Sequence, residues 1–104
     1  MGEAYRVIVT ARASKDLHSV YDYISKDSQD SAARVVDQIL GSMDSLATFP
    51  HRYPVIRASR RPPRETRLMP VRPYLVYYRV IDSERVVLVL RVDHGARRRP
   101  RRLQ

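Results

Sequence analysis

Two apolar stripes at helical spacing stand only a few residues apart, and any stable fold of this chain must cover both. The first stripe is Leu17, Val20, Tyr21 and Ile24; the second is Ala32, Val36, Ile39, Leu40, Met43, Leu46 and Ala47. Recurrence at three- and four-residue intervals puts each set on one side of an α-helix. Asp27-Ser28-Gln29-Asp30-Ser31 interrupts them with polar residues and offers a new helix cap. A break this short folds the chain back, so the two segments are expected to form an antiparallel helical hairpin. Ser14 is the expected cap of the first helix, with Asp16 in its first turn favoured by the helix dipole. Gly41 costs the second helix about 1 kcal/mol relative to Ala, so that helix depends on packing.

The cover for these stripes lies in the flanking sequence. Tyr5 to Thr10 is β-branched and aromatic and reads as a strand. Phe49-Pro50 ends the second helix. From there to Arg64, Pro50, Pro54, Pro62 and Pro63 interleave with Arg57, Arg60, Arg61 and Arg64, which reads as a loop. Glu65 to Met69 is a short strand stopped by Pro70 and Pro73, Tyr74 to Ile81 a second, and Arg85 to Val92 a third, after a turn at Asp82-Ser83-Glu84. The apolar run Val86 to Leu90 suits a strand covered on both faces. Short turns make these last strands antiparallel. The expected fold is therefore α+β in two layers. It has an N-terminal strand and a helical hairpin packed on an antiparallel sheet with a C-terminal three-stranded meander. One domain spanning 1–104 is expected, with about 96–104 as a basic tail that has nothing to bury.

Composition narrows the function classes. A chain of 104 residues buries roughly two-thirds of its unfolded surface and needs no staples. It has no cysteine, which excludes disulfides and thiolate metal sites. No apolar run approaches the roughly 20 residues needed to span a bilayer, and Met1-Gly2-Glu3-Ala4 lacks signal-peptide features. A cytoplasmic protein with no membrane partner is expected. The net charge of +9 is uneven: residues 1–50 carry five basic and seven acidic side chains, residues 51–104 fifteen and four. The second half thus stands at +11. All but two of the cations are Arg, the better bidentate partner for phosphate or carboxylate. Codon usage alone explains an Arg bias but not its confinement to one half.

Few constellations carry chemistry. With only Gly2, Gly41 and Gly95, there is no nucleotide-binding glycine loop, and His18, His51 and His94 lack metal-ligand spacing. No cofactor and no metal are expected. Strand alternation puts Tyr77 and Arg79 on one face and Tyr74, Tyr78 and Val80 on the other. Tyr beside Arg can stack on bases and pair phosphates, but tyrosines also fill cores and cover sheets. His94 lies beside Gly95 and Arg97. Neighbouring cations favour its neutral form, as a general base requires, while Asp93 opposes this. A strand-end His bonded to backbone is the plainer use.

Taken in order, the first strand, "ARASKDLHSVYDYISKDSQDSAARVVDQILGSMDSLATFP", "RETRLMPVRPYLVYYRV" and "VVLVLRVDHGARR" resemble the ParE/RelE toxins of type II toxin–antitoxin systems, from about Tyr5 to about Arg98. The most specific pieces are the Leu46–Pro50 helix end, Pro73-Tyr74-Leu75-Val76-Tyr77-Tyr78 and Val92-Asp93-His94-Gly95-Ala96-Arg97. The resemblance implies a helical hairpin on an antiparallel sheet, and one of two activities. RelE-type members cut mRNA on the ribosome with basic, Tyr or His residues; ParE-type members poison DNA gyrase. Both are held inactive by an antitoxin whose extended segment wraps the toxin.

Carried over residue by residue, the nuclease candidates are Arg67, Tyr77, Arg79, His94 and Arg97. However, the catalytic Arg that begins the equivalent strand in the nuclease branch aligns with Tyr74, which has no forked cationic donor for a pentacoordinate phosphate. The Pro-Tyr pair there is typical of ParE-like sequences. The expectation is thus a ParE-like gyrase poison with no catalytic residue carried over. The alternatives are a ribosome-dependent mRNA endoribonuclease and a non-toxic relative that only binds its antitoxin. The expected target surface is His94, Arg97 and Arg98. The expected partners are an acidic antitoxin, which Leu17, Tyr21, Val36 and Met43 would contact, and DNA gyrase, or the ribosome and mRNA in the alternative. Operator DNA is expected to be reached only through the antitoxin.

Overall fold

The first strand runs straight into the first helix. β1 (Arg6–Val9) is followed by α1 (Ala11–Ser25), with Thr10 alone between them. Thr10 is extended, and its Oγ1 accepts from the Ala13 amide at 3.2 Å. It therefore caps α1 four residues ahead of Ser14, where the cap was expected. The stripe begins at Leu17, but an uncapped helix start leaves free amides, so the chain begins the helix at the first hydroxyl after the strand. α2 (Gln29–Ser45) starts at Ser28, whose Oγ accepts from the Ser31 amide at 3.1 Å. The helical hairpin follows the sequence closely.

The computed structural model describes residues 4–95. After α2 come β2 (Val55–Arg60), β3 (Pro63–Val71), β4 (Tyr74–Ile81) and β5 (Val86–His94). The five strands lie in the order β1-β5-β4-β3-β2. β2, β3, β4 and β5 pair antiparallel in sequence, whereas β1 pairs parallel with β5 from Arg6↔Val86 to Val9↔Val89. The sheet is mixed rather than antiparallel. An isolated apolar run carries no signal of its direction, and the connection between β1 and β5 is long enough for either.

The segment read as a loop contains β2 and the start of β3. β2 pairs with β3 from Val55↔Arg67 to Arg60↔Pro63, with a register shift between Val55 and Arg57. All residues from Val55 to Glu65 are exposed. No alternation marks this hairpin because neither face meets a core. Its prolines obey strand rules even so, since Pro62 lies in the turn and Pro63 opens β3.

The core lies between the helices and one face of the sheet. Ala13 and Leu17 of α1, Ile39 and Met43 of α2, and Leu46 meet Met69 and Val71 of β3, Tyr74, Val76 and Tyr78 of β4, and Val87, Val89 and Val92 of β5. β5 changes step once: Tyr77 faces Arg91 and Tyr78 faces Val89, so Leu90 is an extra residue. The bulge brings Val92 to the core face that alternation from Val87 and Val89 would deny it. Beyond the end of β1, the Val92 amide donates to Asp16 Oδ2 of α1 at 2.9 Å. Asp16 thus serves the sheet and not its own helix terminus.

Candidate functional site

The two faces of the sheet divide the candidate residues. β4 shows its helix-side face through Tyr74, Val76 and Tyr78, all buried, and its open face through Leu75, Tyr77 and Arg79, all half-buried. The register of Arg67 with Tyr78 and of His94 with Tyr74 puts Arg67 and His94 on the helix-side face. Four residues of β4 separate those two positions, or about 13 Å along a strand. Tyr77 and Arg79 point the other way. Arg67, His94, Tyr77 and Arg79 therefore do not converge on one point.

Arg67 is tied to the chain that follows α2. Its Nη1 donates to the carbonyl oxygens of Tyr53 at 2.6 Å and His51 at 3.2 Å. Beside it the Tyr78 hydroxyl donates to the Pro50 carbonyl at 2.8 Å, and burial pushes that phenol above its ordinary value. His94 meets the Tyr74 ring edge-on, with centroids 5.2 Å apart.

On the open face, Arg79 Nη2 lies 3.5 Å from Thr66 Oγ1, and Arg91 Nη2 donates to Asp93 at 3.0 Å. The Nε atoms of Arg79 and Arg91 are buried with no partner among the described residues. Burial lowers the Arg79 guanidinium below its usual range, and the charge of Arg64 lowers it further. A shallow depression of about 600 Å³ lies between them, lined by Ser59, Pro63, Arg64, Arg79, Ile81 and Leu88 among others. Sequence reasoning missed this pairing because it needs the β2–β3 hairpin.

Of the four positions expected to meet a partner protein, Leu17 and Met43 belong to the core, with 9% and 1% exposure. Tyr21 and Val36 are half-buried. Among the described residues the exposed large apolar side chains are instead Tyr23, Leu40, Phe49, Val55 and Ile56. Arg97 and Arg98, like the rest of the tail from Ala96, lie outside the described residues. Among the described residues no three His, Asp or Glu side chains group as metal ligands do, and no helix is long and apolar enough to cross a membrane.

Two helices on one face of a five-stranded mixed sheet, with a basic open face, define a small α+β fold shared with solved toxin structures. The toxin-antitoxin complex RelBE2 from Mycobacterium tuberculosis contains a chain that aligns with a TM-score of 0.68 at 24% identity, over 90% of this chain and 94% of that one. A chain of the chromosomal ParDE system from P. aeruginosa aligns with a TM-score of 0.66 at 22% identity, over 89% and 98%. At the level of sequence, Toxin RelE2 of Caulobacter vibrioides is 35% identical over 92 residues, 88% of this chain and 97% of that protein. Residues 7–99 match the family described as ParE toxin of type II toxin-antitoxin system, parDE. This chain belongs to that family.

Proposed function

We propose that this toxin poisons DNA gyrase in the cytoplasm and is held inactive by a cognate acidic antitoxin. Position 74 carries the reading. Where the nuclease branch of the superfamily uses a catalytic Arg, this chain has a Tyr that is 7% exposed and packed edge-on against His94. A phenol there supplies no forked cation for phosphate charge. The commitment of Arg67 to loop carbonyls, and the opposite facing of Tyr77 and Arg79, support the same reading. Inhibition then comes from surface complementarity around His94, Arg97 and Arg98, with no cofactor.

The antitoxin assignment is supported by the +11 charge of residues 51–104, which speeds encounter with an acidic partner. The solved structures similar in fold are toxin–antitoxin complexes. Half-buried Tyr21 and Val36, with exposed Tyr23 and Leu40, give the helical layer apolar contact area for an amphipathic helix. Reading of operator sequence is left to the antitoxin.

A supercoiling assay with purified toxin and gyrase tests the proposal. Inhibition or trapped cleaved DNA, reversed by antitoxin and relieved in the Arg97→Ala/Arg98→Ala double variant, is the expected result. Unaffected gyrase with folded toxin sinks it. That outcome transfers the case to mRNA cleavage on translating ribosomes, the second reading, which the 35% identity to a relative named RelE2 favours.

A further inference from the structure

The β2–β3 hairpin has the wrong composition for a packing element. Eleven consecutive residues, Val55 to Glu65, are exposed, and no helix covers either side. Between 57 and 64 the only apolar side chains are Ala58 and two prolines, whereas Arg57, Arg60, Arg61 and Arg64 supply four cations. None of the four makes a hydrogen bond or ion pair with a described residue. Glu65 is the one acid nearby, and its carboxylate approaches Arg67 at 3.9 Å instead.

We infer that this hairpin is a contact arm for duplex DNA, binding backbone phosphates without regard to sequence. The inference goes beyond gyrase poisoning and does not rest on it. Protein partners bind most strongly through desolvated apolar or aromatic anchors; Val55 and Ile56 at the base of the arm are exposed, but the cationic stretch 57–64 that reaches furthest offers none. A phosphate backbone needs only cations in a suitable spacing. The arm is a two-stranded ribbon, a shape the major groove of B-form DNA admits at about 12 Å width. A-form RNA has a deep, narrow major groove that excludes it.

The arrangement of the cations fits a ribbon lying in a groove. Pairing of Arg57 with Thr66 and of Ser59 with Arg64 puts Arg57 and Arg64 on the open face, Arg60 on the other, and Arg61 in the turn. Cations on both sides and at the tip can meet phosphates on both groove walls. At the root of the arm, Arg79 shares the depression with Arg64, and its Nε has no partner among the described residues. Two guanidiniums lining one depression repel each other, and a phosphate between them would supply the opposing charge.

The test uses the full chain and a DNA duplex of about 20 base pairs, roughly two helical turns, with binding followed by anisotropy across a salt series. Combining Arg57→Gln, Arg60→Gln, Arg61→Gln and Arg64→Gln removes four exposed charges that hold nothing in the fold, which circular dichroism checks. The tail arginines remain in both proteins. Each lost phosphate contact takes about 0.9 off the log–log salt slope, so four should make it shallower by about 3.6, with affinity at least tenfold weaker at moderate salt. The matching four-fold Lys variant should bind nearly as the parent does. An unchanged slope in the Gln variant overturns the inference. So does equal binding of an RNA duplex of the same sequence, or a Gln variant that keeps DNA and loses only a polyglutamate peptide.

Discussion

Arg67 and Tyr78 face each other across β3 and β4, and together they hold the chain that leaves α2. The phenol takes the Pro50 carbonyl, the guanidinium those of His51 and Tyr53. Three carbonyls within the four residues 50–53 are thereby moored to the sheet by side chains, and the Leu68 amide takes the next, that of Pro54, at 3.2 Å. Tyr78→Phe leaves the Pro50 carbonyl buried and unsatisfied and should cost about 1–3 kcal/mol. Arg67→Met should cost at least as much, since two acceptors lose their donor. Urea denaturation of both variants measures this, and wild-type stability in Tyr78→Phe would refute it.

Asp16 performs a similar service between α1 and β5. Its Oδ2 accepts from the Val92 amide, and its Oδ1 receives Arg12 Nε at 3.2 Å. Asp16→Ala strands a part-buried amide and should lose about 1–3 kcal/mol. Arg12→Ala should change stability by less than about 1 kcal/mol, because that guanidinium is 57% exposed. Equal losses in the two variants would mean that the ion pair, and not the amide, is what matters.

Gly41 is an exposed position inside α2, and a methyl group there meets nothing within 4 Å. Gly41→Ala should therefore stabilise the toxin by about 1 kcal/mol through helix propensity and a less free unfolded chain. The check is a rise in melting temperature of the Gly41→Ala variant over the parent.

Asp82 accepts from the Tyr5 hydroxyl at 2.7 Å and lies 3.0 Å from His51 Nε2. The Tyr5 hydrogen bond holds the carboxyl below its usual range, opposed by desolvation and aided by His51. A carboxylate whose folded value is depressed gives stability that is complete above the unfolded value of about 4 and fades as pH falls through the folded one. The wild type should thus be slightly more stable than Asp82→Asn at pH 6, with the difference vanishing at low pH. The gap should be small, since the side chain is 64% exposed. Melting scans across that pH range decide it; a gap that widens in acid contradicts the sign.

The hairpin of helices, a cap within Asp27–Ser31 and the last two strands were legible because each carries a periodicity or a polar break with a local physical cause. That Tyr74 and Tyr78 share a face followed from alternation alone, whereas which face meets the core did not. β2 was not legible: a strand exposed on both faces has no alternation, and its prolines and arginines are those of a loop. The parallel sense of β1 was hidden for a different reason, because direction depends on partners distant in sequence. Among site residues, Arg67 and Asp16 look like surface charges until the carbonyls and the amide they serve are seen. Leu17 and Met43 fell on the right stripe, but a stripe does not distinguish core from groove.

The position of β5 has a bearing on how the toxin comes into being. Residues 86–94 sit inside the sheet, with β4 on one side and β1 on the other, and Val92 anchors α1 through Asp16. A chain emerging from the ribosome can pack α1 against α2 early, but β1 has no strand to pair with until β5 is out. Completion of the sheet thus waits on closure of a long loop between β1 and β5, a non-local step that is intrinsically slow. During that interval the chain carries its helices and meander with an open edge on β5 still to be closed by its own first strand.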